Sequence, residues 1–433
     1  MIHRALPALI AVSAAFALFF AAPPDIGADT LTKNADAAKA DADSLTISLI
    51  TCWPGADVYE LCGHEALRVR GCGRDSIWNY GTFNFNEPNF IYRFVKGETD
   101  YMLSSYPFAW FMPEYSDKGR RVVEQELNLT QDEAKKLLAM IQEEALPQNR
   151  TYRYNYVKDN CATRIVERIN QAVGGPTVFT DSVRYGTFRN EMRQFHRNYP
   201  WYQFGIDLAL GSGIDRQLKG QQEMFVPLDM MERASTARLP DGRPLVRSTR
   251  VLNEGTGDAT LGPTPWWQTP LSCAAAMLLL TIAVCAADTK RHRISRWWWT
   301  VYFGLCGIAG CLIFFLVFIS EHEATSPNAL IVWLNPLQLL TAACVWSRKT
   351  RKAAMLANWY NLIAVGVLML VWPFQPQSAN PAFFPLMACA VILGATYAII
   401  APKESYKIKE SAGDTHRASG RKTTSDTGSR KTK

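Results

Sequence analysis

Trp297-Trp298-Trp299-Thr300-Val301-Tyr302-Phe303-Gly304-Leu305-Cys306-Gly307-Ile308-Ala309-Gly310-Cys311-Leu312-Ile313-Phe314-Phe315-Leu316-Val317-Phe318-Ile319-Ser320 is a stretch without one charged side chain. Wound as a helix it spans about 36 Å, more than the roughly 30 Å of hydrocarbon in a bilayer. Four further apolar blocks, Pro270–Ala287, Ala329–Trp346, Leu356–Phe374 and Ala382–Ile400, surround it. Each is long enough to cross, so the sequence predicts an all-α membrane domain of five transmembrane helices over residues 266–402.

Charge sets the orientation. Lys290, Arg291, Arg293 and Arg296 form one basic cluster, and Arg348, Lys349, Arg351 and Lys352 a second. With five crossings both fall on one side together with the basic tail, residues 403–433. The connections Glu321–Asn328 and Gln375–Pro381 fall on the other and are nearly free of Lys and Arg. The positive-inside rule puts the basic side in the cytoplasm. The net charge of +7 is therefore a topology signal, and no nucleic-acid partner is expected. Trp266, Trp267, Trp297, Trp298, Trp299 and Trp372 lie at block ends and read as headgroup-level anchors.

The other end of the chain agrees. Met1-Ile2-His3-Arg4 followed by an apolar run from Ala5 to Ala22 has the shape of an export signal, peptide or anchor, within residues 1–30. Residues 31–44 read as a linker, residues 45–265 as an exported domain, and residues 403–433 as a disordered cytoplasmic tail. Within the exported domain Leu45–Thr51, Ala66–Arg70 and Ser76–Phe83 are β-prone runs bounded by turn residues. Thr130-Gln131-Asp132-Glu133 is a capping box ahead of the stripe Ala134, Leu137, Leu138 and Ile141. A second stripe, Ala162, Ile165, Val166, Ile169 and Val173, follows Asp159 and Asn160, either able to cap it. Ser235–Pro265 reads as an extended connection to the membrane.

Cys161 thus opens a helix, where the positive end of the dipole favours the nucleophilic thiolate. Its base has to be a histidine on the exported side. His64, in Cys62-Gly63-His64-Glu65 at the start of a strand, is the candidate, whereas His196, among charged and aromatic residues, reads as a surface residue. Cys52, Cys62, Cys72 and Cys161 also permit two disulfides in an oxidising compartment, which would silence the thiol. No C-x-x-C or H-x-x-x-H spacing points to a metal, and no cofactor is expected.

Three motifs carry a family resemblance: Tyr59-Glu60-Leu61-Cys62-Gly63-His64-Glu65-Ala66-Leu67-Arg68, Asn79-Tyr80-Gly81-Thr82-Phe83-Asn84-Phe85, and Asp159-Asn160-Cys161-Ala162-Thr163. In this order they resemble the motifs of the Lnb-type lipoprotein N-acyltransferases, with less specific likeness through Trp201–Arg216 and His322–Pro336. The order His then Cys is also similar to the permuted papain-like fold of lecithin retinol acyltransferase. The resemblance implies an α+β exported domain with a permuted papain-like cysteine fold. It also implies a reaction: Cys161 takes an acyl chain from a phospholipid as a thioester, with His64 as base, and passes it to the α-amino group of a diacylated lipoprotein. On motif grounds Asn79, rather than Tyr80, orients the imidazole. Asn160 or Tyr156 assists the oxyanion beside the Cys161 N–H, and Arg68 is a headgroup contact or a surface salt bridge. His322, Asn328 and Asn335, polar at the exported edge of the bilayer, bind headgroups, complete the site or pack helices. The same Cys–His pair would serve a membrane-anchored cysteine peptidase or amidase acting on cell-wall peptides; a scaffold with Cys161 in a disulfide is the non-enzymatic alternative.

Overall fold

The structure, a computed structural model, describes residues 44–83, 88–98, 100–179, 186–257 and 260–401. The export signal, most of the linker and the basic tail lie outside the described residues. The exported domain is built on a seven-stranded antiparallel sheet of β1 (Thr46–Cys52), β2 (His64–Gly71), β3 (Arg74–Thr82), β4 (Asp100–Pro107), β5 (Val122–Leu127), β6 (Thr151–Arg153) and β7 (Val246–Asn253). The order across the sheet is β6-β4-β3-β2-β1-β5-β7. The three strands expected from sequence are β1 to β3.

The helices of this domain are α1 (Phe90–Lys96), α2 (Phe108–Ser116), α3 (Gln131–Glu144), α4 (Cys161–Val173), α5 (Phe188–Phe195), α6 (Pro200–Ala209) and α7 (Pro227–Thr236). Alternation along the central strands divides two cores. Leu49, Leu67, Val69 and Trp78 pack against Leu137 and Ile141 of α3 and Ile165 and Ile169 of α4. Ile50, Cys52, Ala66 and Ile77 point the other way, onto Phe108, Phe111 and Tyr115 of α2. Both faces are covered, so β1 is buried from Ile47 to Cys52 on either side, its Ser48 and Thr51 included.

β7 corrects the expectation that Ser235–Pro265 is merely extended. Its sequence Val-Arg-Ser-Thr-Arg-Val-Leu-Asn is exposed on both faces, so no apolar alternation marks it. The backbone ladder to β5 defines it, with Arg247 on Glu126 and Arg250 on Glu124.

In the membrane region α8 (Pro270–Arg291), α9 (Arg296–Phe318), α11 (Arg351–Phe374) and α12 (Phe383–Ala401) are long and apolar enough to cross a bilayer. Four such helices are described where five were expected. The third apolar block is broken: a 3₁₀ turn at Ala329–Val332 is followed by the seven-residue α10 (Gln338–Cys344). Pro336 disfavours helix at Asn335, and the Asn335 side chain accepts the N–H of Leu337, 3.1 Å away. This segment nonetheless runs antiparallel along α9. Thr325 bonds the carbonyl of Leu316, Asn335 lies against Gly310, Leu339 against Gly307, and Thr300 bonds the carbonyl of Ala342. A Cβ at Gly310 would come within 2.4 Å of the Asn335 backbone, so the close approach requires glycine.

Three tryptophans expected at the interface are inside the bundle. Trp298, Trp299 and Trp372 are buried, with Trp299 Nε1 donating to Asn358 at 3.0 Å, whereas Trp266, Trp267 and Trp297 are exposed. A run of three tryptophans on a helix cannot face one side, and packing drew two of them inward.

Candidate active site

Cys161 owes its place to the turn before it. Asn155 and Asp159 exchange backbone hydrogen bonds, and Asp159 pairs with Arg164. Asn160 then caps α4: its Oδ1 accepts from Ala162 N at 2.9 Å and Thr163 N at 3.0 Å. Its Nδ2 donates to the carbonyls of Tyr156 and Phe225 at 2.9 and 2.8 Å. Every polar atom of this side chain is committed to holding the helix start, so Asn160 is a positioning residue.

Cys161 as a residue is 9% exposed. The backbone N–H groups of Glu65, Ala162 and Cys161 itself reach its sulfur and favour thiolate. Burial outweighs them and pushes the thiol up to about 11. The helix dipole alone therefore does not deliver a resting thiolate, contrary to the simplest reading of its position.

The N–H of Glu65 belongs to the peptide bond that links it to His64, so the sulfur lies against the His64 backbone. By strand alternation Glu65 faces the α4 side with Leu67, while His64 leaves on the Ala66 side. There Nε2 lies 3.0 Å from Asn79 Oδ1. A carbonyl oxygen only accepts, so Nε2 carries the proton and Nδ1, the ring nitrogen nearest the His64 backbone, keeps its lone pair. Burial lowers the imidazole to about 4, against the Asn79 hydrogen bond and with help from Arg120. Among the described residues no hydrogen bond joins the thiol directly to the imidazole. Both are neutral near pH 7.

The remaining expected residues separate into two groups. Tyr156 stays at the site, 38% exposed, its hydroxyl 3.2 Å from Cys62 Sγ. Burial raises Cys62 to about 12. Cys52, Cys62 and Cys161 are free thiols in the structure. Tyr80 is instead sealed in the core, its hydroxyl donating to Glu144. Arg68 is a buried ion pair, 2.7 Å from Asp75 and 3.4 Å from Glu124, lying over the Phe108 ring. His322 Nε2 donates to the carbonyl of Phe94 at 2.8 Å, tying the exported loop to α1. Asn328 bonds the Leu208 carbonyl at 2.9 Å and Gln377 at 3.0 Å. His196, expected at the surface, is 1% exposed with Nδ1 2.8 Å from Gln203, because α6 folds back over it.

Those loop contacts clamp the exported domain to the membrane helices. Gly211 and Ser212 donate to the carbonyls of Ala324 and Pro327, each at 2.8 Å. A Cβ at Gly211 would stand 2.2 Å from the Pro327 oxygen. Asp207 takes Arg189 at 2.8 Å, Arg193 at 3.1 Å and Asn380 at 3.0 Å.

Two family models match, that of the Lnb N-terminal periplasmic domain over residues 32–193 and that of the Lnb transmembrane domain over residues 263–405. The chain belongs to the Lnb-type family. It is a multi-pass inner-membrane protein with a periplasmic N-terminal domain. Neither a curated protein nor a solved structure matches it. The periplasmic match covers His64, Asn79 and Cys161, and the membrane match covers the loop that holds Asn328. In this Lnb-family chain sequence reasoning passed over Glu65 and Tyr154. Glu65 is buried beside the thiol, bonded to Thr51 at 2.8 Å, and burial holds its carboxyl well above the ordinary range. Tyr154 flanks the thiol across Gly81. Alternation was the available signal for both: Glu65 follows His64, and Tyr152, Tyr154 and Tyr156 recur at period two.

Proposed function

We propose that this protein is a lipoprotein N-acyltransferase with Cys161 as nucleophile, His64 as base and Asn79 as the residue that orients the imidazole. One observation carries the reading: a capped helix start holds the thiol against the His64 peptide, in a periplasmic domain clamped to membrane helices. Cys161 Sγ attacks the ester carbonyl of a phospholipid as its proton passes to His64, whose ring, bonded to Asn79 on the opposite face of β2, has to swing toward the sulfur to take the proton on Nδ1. The ester C–O bond breaks, and the lysophospholipid leaves as an alcohol with that proton. The α-amine of a diacylglyceryl-modified lipoprotein cysteine then attacks the thioester. His64 takes the amine proton, the C–S bond breaks, an amide forms and the thiol is restored. Because thiol and imidazole both rest neutral, proton transfer accompanies attack instead of preceding it. Backbone N–H groups at the sulfur are suited to the oxyanion, and Tyr156 is at hand for the substrate. In fold terms the order of His strand and Cys helix is that of a permuted papain-like enzyme.

The membrane region fits a lipid donor, since the ester of a phospholipid lies at the interface. The broken segment after α9 makes the third of five crossings, which leaves the C-terminus in the cytoplasm with both basic clusters.

The test is mass spectrometry of a lipoprotein N-terminal peptide from cells carrying wild type, Cys161→Ser or His64→Ala as the sole copy. Loss of the N-linked acyl chain in both variants, with each protein present in the membrane, is expected. Full N-acylation in both overturns the assignment, and cleavage of cell-wall peptides by the purified wild type would replace it with a peptidase or amidase.

A further inference from the structure

The short helix α1 presents Ile91, Tyr92 and Phe94 to the outside at 75%, 56% and 48% exposure. An apolar cluster of this size on a water-facing domain needs a partner. Its location says which one. Ser320, just past the end of α9, bonds the carbonyls of Val95 and Lys96 at 3.0 and 3.1 Å, and Glu321 N bonds the Lys96 carbonyl at 2.8 Å. The Tyr92 ring lies 6.3 Å from that of Phe315 on α9. On the same end of α9, Phe314, Phe318 and Ile319 are exposed. The α1 face therefore continues the exposed surface of a membrane-crossing helix, and what covers both is lipid.

From α1 a line of rings leads inward. Phe90 stacks on Phe83 at 5.9 Å, Phe83 meets Tyr101 at 4.9 Å, and Tyr101 stacks on Tyr154 at 4.2 Å. At Gly81 a Cβ would stand 3.5 Å from the Tyr154 ring and 4.0 Å from Cys161 Cβ, so ring and thiol border the same glycine. The tyrosines are apolar along their faces, a surface suited to methylene groups.

We propose that α1 is the lipid gateway of the Cys161 site: Ile91, Tyr92 and Phe94 sit among the acyl chains of the outer leaflet, and the aromatic line guides a phospholipid tail to the thiol. The assignment of that tail as the acyl donor rests on the acyltransferase reading; the path itself does not. Two arms separate them. In the full-length Cys161→Ser protein, reconstituted in vesicles containing a phosphatidylethanolamine with a photoactivatable diazirine in its tail, illumination should cross-link lipid to peptides carrying Phe90, Tyr101 and Tyr154. Ile91→Asp combined with Phe94→Asp should cut the Tyr154 cross-link at least about tenfold, because two apolar side chains lose their burial in lipid, while thermal unfolding of the protein is unchanged. Cross-links confined to α8, α9, α11 and α12, or a Tyr154 cross-link unaffected by the double change, overturn the gateway. In the second arm wild type with the same lipid is examined for a Cys161 thioester. A thioester without tail cross-links at Tyr154 sinks the gateway and leaves the acyltransferase; tail cross-links without any thioester leave the gateway and sink the acyltransferase.

Discussion

The periplasmic domain and the membrane helices bury polar side chains in opposite ways. Beside neutral groups such as Asn79 and Asn160, the domain buries ion pairs. Arg189, wholly buried, lies 2.8 Å from Asp207 and 2.9 Å from Asp215, and Arg120 sits 2.9 Å from Glu60. The membrane region buries neutral groups. Gln338 donates to Asn361 at 2.7 Å, Trp299 to Asn358 at 3.0 Å, and Tyr302 to the Leu386 carbonyl at 2.6 Å. Its buried acid, Asp288, stands at a helix end beside the basic loop, accepting from Ser295. Ionised groups at bilayer depth are costly however they are paired, while amides and indoles tolerate hydrocarbon once bonded. The domain can use ion pairs for specificity, yet each pair leaves a liability if one member is lost.

That liability makes the largest prediction. Asp207→Ala leaves Arg189 without its closest carboxylate and takes one bond each from Arg193 and Asn380 at the clamp to the membrane loops. A loss of about 3–5 kcal/mol is expected, read as a lowered unfolding midpoint in detergent. Asp207→Asn should fall between it and wild type. A loss near 1 kcal/mol would erase the distinction between the two regions, since neutral pairs in membranes reach that size.

Titration divides the regions further. His64 is held to about 4 by burial, below the ordinary 6.5. Between these values the unfolded chain takes up a proton that the folded domain refuses. Domain stability from this group is therefore whole above pH 6.5, falls as the pH drops toward 4 and levels off below it. Glu65 runs the other way, its raised carboxyl favouring the fold at low pH. The measurement is consequently a difference: wild type should lose more stability than His64→Gln between pH 6.5 and 4, and identical profiles would show that His64 is not held neutral.

Within the membrane the Gln338–Asn361 bond sharpens the contrast. Either single change to Leu should cost about 1–2 kcal/mol by leaving the partner amide short of a bond, although Gln338 keeps the Trp333 carbonyl and Asn361 the Ala357 carbonyl, and the double change should cost less than the sum. A coupling as large as the whole loss expected for Asp207→Ala would show that neutral pairs carry as much as charged ones.

What the sequence disclosed follows the same division. Wherever an apolar period met a cap the reading held: Thr130 and Asn160 start their helices, and β1 to β3 lie close to the runs chosen. β7 escaped because an edge strand exposed on both faces has no apolar period, and β6 because three residues are too few. The third apolar block was indistinguishable from a helix by composition; Asn335-Pro336 broke it, and only the glycines of α9 show why a broken segment packs there. The positions of Cys161 and His64 in their elements were legible. Which face of β2 each group uses was not, since it depends on α2 and α4 covering opposite sides of the sheet.

The smallest effect tests whether local signals carry weight when tertiary packing surrounds them. Thr130 accepts the N–H of Glu133 at 3.2 Å, and Glu133 Oε2 accepts the N–H of Thr130 at 2.7 Å, the reciprocal box read from four residues of sequence. Thr130→Ala removes one half of the box and should cost about 1 kcal/mol, while Thr130→Ser, which keeps the acceptor, should cost far less. Arg243 also holds Glu133, at 2.8 Å, from the turn before β7. If Thr130→Ala costs nothing, that ion pair alone fixes the helix start, and charge pairing extends in the periplasmic domain even to a site where the sequence advertised a neutral cap.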